Sequence, residues 1–79
     1  MVPVNDLIAE IRSAPRLPSL TLARAIRKAC GISQARLAKE LGVGRVTVTR
    51  WETGRRTPRG RLARAYAELL VALRDEAGR

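Results

Sequence analysis

Histidine and phenylalanine are absent from this chain of 79 residues, and cysteine, tryptophan and tyrosine occur once each. Metal sites built from His and Cys, and Ser-His-Asp or Cys-His nucleophilic chemistry, therefore lack their parts. No enzymatic activity, metal or cofactor is expected. Cys30 has no internal disulfide partner. That suits a reducing cytoplasm, and its spacing from Ile26 predicts a small buried hydrophobe. Scarce aromatics beside many Ala and Leu favour packed helices over a sheet. No apolar run approaches the roughly 20 residues of a membrane span. The N-terminus also lacks the charged-then-apolar order of a signal peptide, so a cytoplasmic protein without a membrane partner is expected.

Acidic residues are scarce too, 7 against 16 Lys and Arg, for a formal charge of +9. The imbalance is local. Ten of the cations and two of the acids fall between residues 20 and 60, whereas residues 1–19 are balanced and 61–79 are nearly so. A basic surface concentrated on one part of a small chain is what a polyanion-binding face requires. The length allows one modest core.

Residues 4–12 read as a short first helix, with Asn5 or Asp6 as cap and Leu7, Ile8 and Ile11 on one side. Pro15 and Pro18 then impose an extended linker. A second helix is predicted from Ser19–Thr21 to Cys30, with Leu22, Ile26 and Ala29 inward and Arg24, Arg27 and Lys28 outward, ended by Gly31. Ser33 caps a third helix, Gln34 to Leu41, with Leu37, Ala38 and Leu41 inward. A capping box would want Glu or Gln at 36, where Arg36 stands. Gly42 stops this helix and Gly44 takes the next cap position. Arg45 to Glu52 form a short fourth helix burying Val48 and Trp51. A basic loop through Pro58 leads to a long last helix, Arg61 to Asp75.

Gln34, Leu37-Ala38, Leu41-Gly42-Val43, Val48, Trp51-Glu52, Gly54 and Pro58 together resemble the helix-turn-helix domains of the Cro/C1 repressor type, the XRE family. The likeness spans about Leu20 to Leu73. These residues have physical reasons to be where they are. Ala38 is small where the next helix crosses, Gly42 turns the chain sharply, and Glu52 can pair with a nearby Arg. The resemblance implies an all-α, compact five-helix, lambda-repressor-like fold, with residues 1–19 a short helix and linker and 20–76 the DNA-binding domain. It implies that the helix at 45–52 enters the major groove of double-stranded DNA. Arg45, Val46, Thr49 and Arg50 then become base-contacting residues. Gln34, Thr47, Arg55, Arg56 and Arg59 become phosphate contacts.

The last helix carries more apolar surface than one small core needs. Leu62, Ala65, Tyr66, Leu69 and Leu73 form a stripe that Ala63, Ala67, Leu70 and Val71 widen to about two thirds of the circumference, beyond an ordinary amphipathic face. A homodimer built on Ala67, Leu70, Val71 and Arg74 is expected, with Leu7, Ile8 and Ile11 covering the remainder. The competing account has the N-terminal helix fold back in cis over the whole arc, leaving a monomer that dimerises only on DNA. The function expected is sequence-specific, repressor-like transcriptional regulation. Two alternatives stand beside it: an antitoxin-type module that holds a protein partner and binds its own promoter, and a DNA-bending recombination accessory factor.

Overall fold

The computed structural model describes residues 16–78, which form four helices: α1 (Leu20–Ala29), α2 (Gln34–Leu41), α3 (Arg45–Glu52) and α4 (Gly60–Ala77). Five helices were expected. The first of them, at 4–12, lies outside the described residues, so four is the number among those described. Local chemistry sets their ends. The Ser19 and Ser33 hydroxyls accept from the amides of Leu22 and Arg36, three residues on, and so start α1 and α2. Gly42 stops α2 in the left-handed region, at φ 69°. Its N–H donates to the Lys39 carbonyl and that of Val43 to the Ala38 carbonyl, which satisfies two orphan acceptors and turns the chain towards α3. The same bond pair closes α1, from Gly31 to Lys28 and Ile32 to Arg27, and α3, from Gly54 to Trp51 and Arg55 to Arg50.

The short helices cannot stand alone; they are held by a core that all four line. Leu37, Val48 and Leu70 are its largest fully buried side chains. Each contributes roughly 1.5–3 kcal/mol by leaving water. Ala38 is buried beside them, small as expected where α2 and α3 cross. Trp51 stacks on Tyr66 with ring centroids 5.1 Å apart. The Tyr66 hydroxyl is buried without a hydrogen-bond partner. Burial, followed by the charge of Glu52, pushes its pKa up to about 12, so the ring stays neutral.

Two expected faces are corrected. On α1 the buried residues are Ala23, Ile26 and Arg27, whereas Leu22 is 46% exposed and Ala29 is also exposed. The inward stripe keeps helical spacing but includes an arginine, because a carboxylate waits for it on α3. On α4, Ala67 and Leu70 are each 1% exposed, inside the protomer's own core. They cannot form a dimer surface. The wide apolar arc is used in cis, since α4 packs against both α1 and α2. Of the expected interface, Val71 remains half-buried and Arg74 exposed, and the covering residues Leu7, Ile8 and Ile11 lie outside the described residues. Cys30 is half-buried, with its thiol 3.3 Å from the Leu73 carbonyl.

Candidate nucleic-acid interface

The interface is built outward from one buried ion pair. Arg27 donates from Nε to Glu52 Oε2 at 2.7 Å and from Nη2 to Glu52 Oε1 at 2.9 Å. Its Nη1 donates to the Ile32 carbonyl at 2.7 Å. Both side chains are almost fully buried. The pair clamps the end of α3 to the last turn of α1 and to the bend before α2, and so fixes how α3 lies across the domain. Burial pushes the Glu52 carboxyl up, but the hydrogen bonds from Arg27 and Gln34 and the charges of Arg27 and Arg24 outweigh it and hold the group below the ordinary carboxylate range. The hydrogen bond with Glu52 raises Arg27 in turn, against its own burial.

Glu52 also reaches the front of the molecule. Its Oε1 accepts from Gln34 Nε2 at 3.1 Å, and the Gln34 Oε1 accepts from the Thr49 hydroxyl at 2.9 Å. Gln34 opens α2, and Thr49 sits on α3 one turn before Glu52. Both are half-buried. The expected phosphate contact is thus fastened to the expected base-contacting helix.

Arg45, Val46, Thr49 and Arg50 line one shallow concave surface, with Thr53 and Arg55 at its edge. Arg45, Val46 and Arg50 are exposed, Val46 at 61%. Leaving a branched apolar side chain in water in the first turn of a helix is a cost that the core does not require. On the other side of Arg50, a groove of about 710 Å³ is walled by Thr47, Arg55, Arg56 and Arg59. The loop forming it is anchored by the amides of Arg55 and Arg56, which both donate to the Arg50 carbonyl. The nine residues named from the sequence therefore gather around α3, eight on two adjoining concavities and Gln34 through its bond to Thr49. No acid lines either concavity, so the local field favours an anion.

The polar chain behind this surface escaped the sequence reading, apart from the pairing of Glu52 with an arginine. A usable signal exists: Thr49 and Glu52 are three residues apart and share a face of α3. Among the described residues, no group of three or more Cys, Asp or Glu side chains is placed to hold a metal ion, and no helix is long and apolar enough to cross a membrane.

Residues 24–70, more than half of the chain, match the HTH_3 family model, described as helix-turn-helix. No curated protein and no solved structure matches the chain. By this match, the chain belongs to the Cro/C1-type (XRE) helix-turn-helix family of DNA-binding transcription regulators.

Proposed function

We propose that α3 enters the major groove of double-stranded DNA and that the protein acts in the cytoplasm as a sequence-specific, repressor-like regulator. The observation that carries this is the outward face of α3, where Arg45, Val46 and Arg50 are exposed together on one acid-free concave surface beside the arginine-walled groove. Arginine can grip the O6 and N7 acceptors of guanine with two donors, and Val46 suits a thymine methyl. Thr49 stands with them. Gln34, Thr47, Arg55, Arg56 and Arg59 hold phosphates, which set register without carrying sequence information.

Salt dependence tests the phosphate assignment. If about five to eight phosphates are neutralised, log K falls against log salt with a slope of roughly −5 to −7. Arg55→Ala is expected to weaken binding to all duplexes alike and to flatten the slope by about 1. Gln34→Ala, which removes no charge, weakens all duplexes and leaves the slope unchanged. An affinity independent of salt would exclude this surface as the backbone contact.

A single recognition helix spans too few base pairs to find one site among a genome's competitors. Two copies on inverted half-sites about 34 Å apart would suffice. With Ala67 and Leu70 occupied in the core, the surface of α4 that fits a second copy is exposed Leu62, Ala65 and Ala72 with the outer edge of Leu69, which is half-buried against its own core. Their alternating spacing of three, four and three marks a helix–helix seam. Arg61 and Asp75 flank that seam at opposite ends. Antiparallel pairing of two α4 helices sets each Arg61 against the partner's Asp75. Ala65 and Ala72 are exposed, so the double substitution Ala65→Glu and Ala72→Glu spares the fold. Sedimentation equilibrium is expected to show a dimer for the wild type and a folded monomer for the variant. A wild type that stays monomeric at high concentration would remove the interface.

A further inference from the structure

We infer that Thr49 is a positioning residue for Gln34, and that with Glu52 it locks the Gln34 amide into the one orientation that can hold a DNA phosphate. The inference rests on Gln34 being a phosphate contact and refines the place of Thr49 beside the base-contacting residues.

Charge decides the orientation of the amide. Glu52 Oε1 lies 3.1 Å from one end of it. Arg27 donates twice to the same carboxylate, which favours its ionised, acceptor-only form. Only the NH2 end of Gln34 can face it; a flipped amide would set its carbonyl oxygen against a carboxylate oxygen. With the NH2 directed to Glu52, the carbonyl oxygen faces the Thr49 hydroxyl, 2.9 Å away. That hydroxyl also lies 3.1 Å from the Arg45 carbonyl. It has one proton, and the carbonyl of Gln34 needs a donor at this point whereas the Arg45 carbonyl belongs to the ordinary bonding of α3. The proton is therefore directed to Gln34.

Two consequences follow. The Thr49 hydroxyl is committed inside the protein and has no free proton for a base edge. Gln34, held at both ends of its amide, keeps its second N–H for an acceptor outside the protein, and phosphate oxygens are the acceptors that duplex DNA presents beside a helix lying in its groove. Holding the side chain before DNA arrives removes part of the ordering cost of the contact. The chain Arg27–Glu52–Gln34–Thr49 thus links the clamp that sets the pose of α3 to the grip on the backbone.

The test is a double-substitution cycle of Thr49→Val and Gln34→Ala, with Thr49→Ser as the variant that keeps the hydroxyl. Thermal melts first establish that each is folded. Affinity is then measured at one salt concentration on two probes: a duplex enriched by the wild type from random DNA, and a random-sequence duplex of equal length. Thr49→Val is expected to weaken both duplexes by the same factor, about three- to tenfold for one lost side-chain hydrogen bond. Thr49→Ser stays near wild type. In the Gln34→Ala background, Thr49→Val adds nothing. Thr49 acts on DNA directly, and the inference fails, if Thr49→Val weakens only the enriched duplex or keeps its full effect without Gln34. It fails equally if Thr49→Val is silent while Gln34→Ala is not. A silent Gln34→Ala overturns the phosphate contact on which the inference rests, and wild-type enrichment of a motif would then still leave base recognition by α3 standing.

Discussion

Arg27→Ala is expected to cost about 3–5 kcal/mol of folding stability, because it leaves the Glu52 carboxylate buried without its counter-charge. For a domain this small that approaches the whole margin. At roughly 4–8 °C per kcal/mol, the melting temperature falls by ten degrees or more. The exposed pair Arg36–Glu40 on α2, at 2.8 Å, is the internal control. Arg36→Ala is expected to cost less than about 0.5 kcal/mol, since exposed pairs are screened by water. The pH dependence has a definite sign. The folded-state pKa of Glu52 is lowered, so the contribution of the pair is fully present above the ordinary carboxylate range and is lost as pH falls through the folded value. Wild-type stability therefore declines in acid. In Arg27→Ala the burial of Glu52 has lost its main opponent, and that acid loss shrinks or reverses. Chemical denaturation of both proteins across the acid range measures it. A cost near that of Arg36→Ala would mean that the buried pair does not hold α3 in place.

Arg45→Ala and Arg50→Ala act on DNA and not on folding. Both side chains are exposed, so their removal leaves the core intact. Each is expected to cost about 1–3 kcal/mol on the preferred duplex, a loss of roughly five- to 150-fold, and to relax preference at one or two base pairs. Neither change resembles that of Arg55→Ala, which weakens all duplexes alike. Competition titrations against single-base variants of the preferred duplex separate the two kinds of loss. Two substitutions that leave the preference untouched at every position would move the base-contacting face away from the first turns of α3.

Much of the fold was legible because its signals are local. Ser33, Gly42 and Gly54 mark starts and stops by hydrogen bonds that span only a few residues, so α2 and α3 fall at the residues the sequence predicts. The long last helix begins at Gly60 and ends at Ala77, close to its predicted limits. Long-range features were harder to read. Arg27 counts as an outward charge until Glu52, 25 positions away, is brought beside it. The wide apolar arc of α4 was legible, but not its partner: it packs on two helices of its own protomer, which buries Ala67 and Leu70, half-buries Leu69 against the same core and leaves Leu62, Ala65 and Ala72 exposed. The nine residues named for DNA contact do collect around α3. Periodicity could place Thr49 on the outer face, but not disclose that its hydroxyl is already bonded to Gln34.

Sequence-specific recognition through α3 is tested most directly by selecting duplexes from a random DNA pool with the wild-type protein and, in parallel, with a variant carrying both Arg45→Ala and Arg50→Ala. The wild type is expected to enrich a motif of two inverted half-sites one helical turn apart, centre to centre. The variant is expected to bind the pool more weakly and to lose the guanine positions of that motif. A wild-type pool no different from the input, or the same motif recovered with both arginines removed, would contradict recognition by this face.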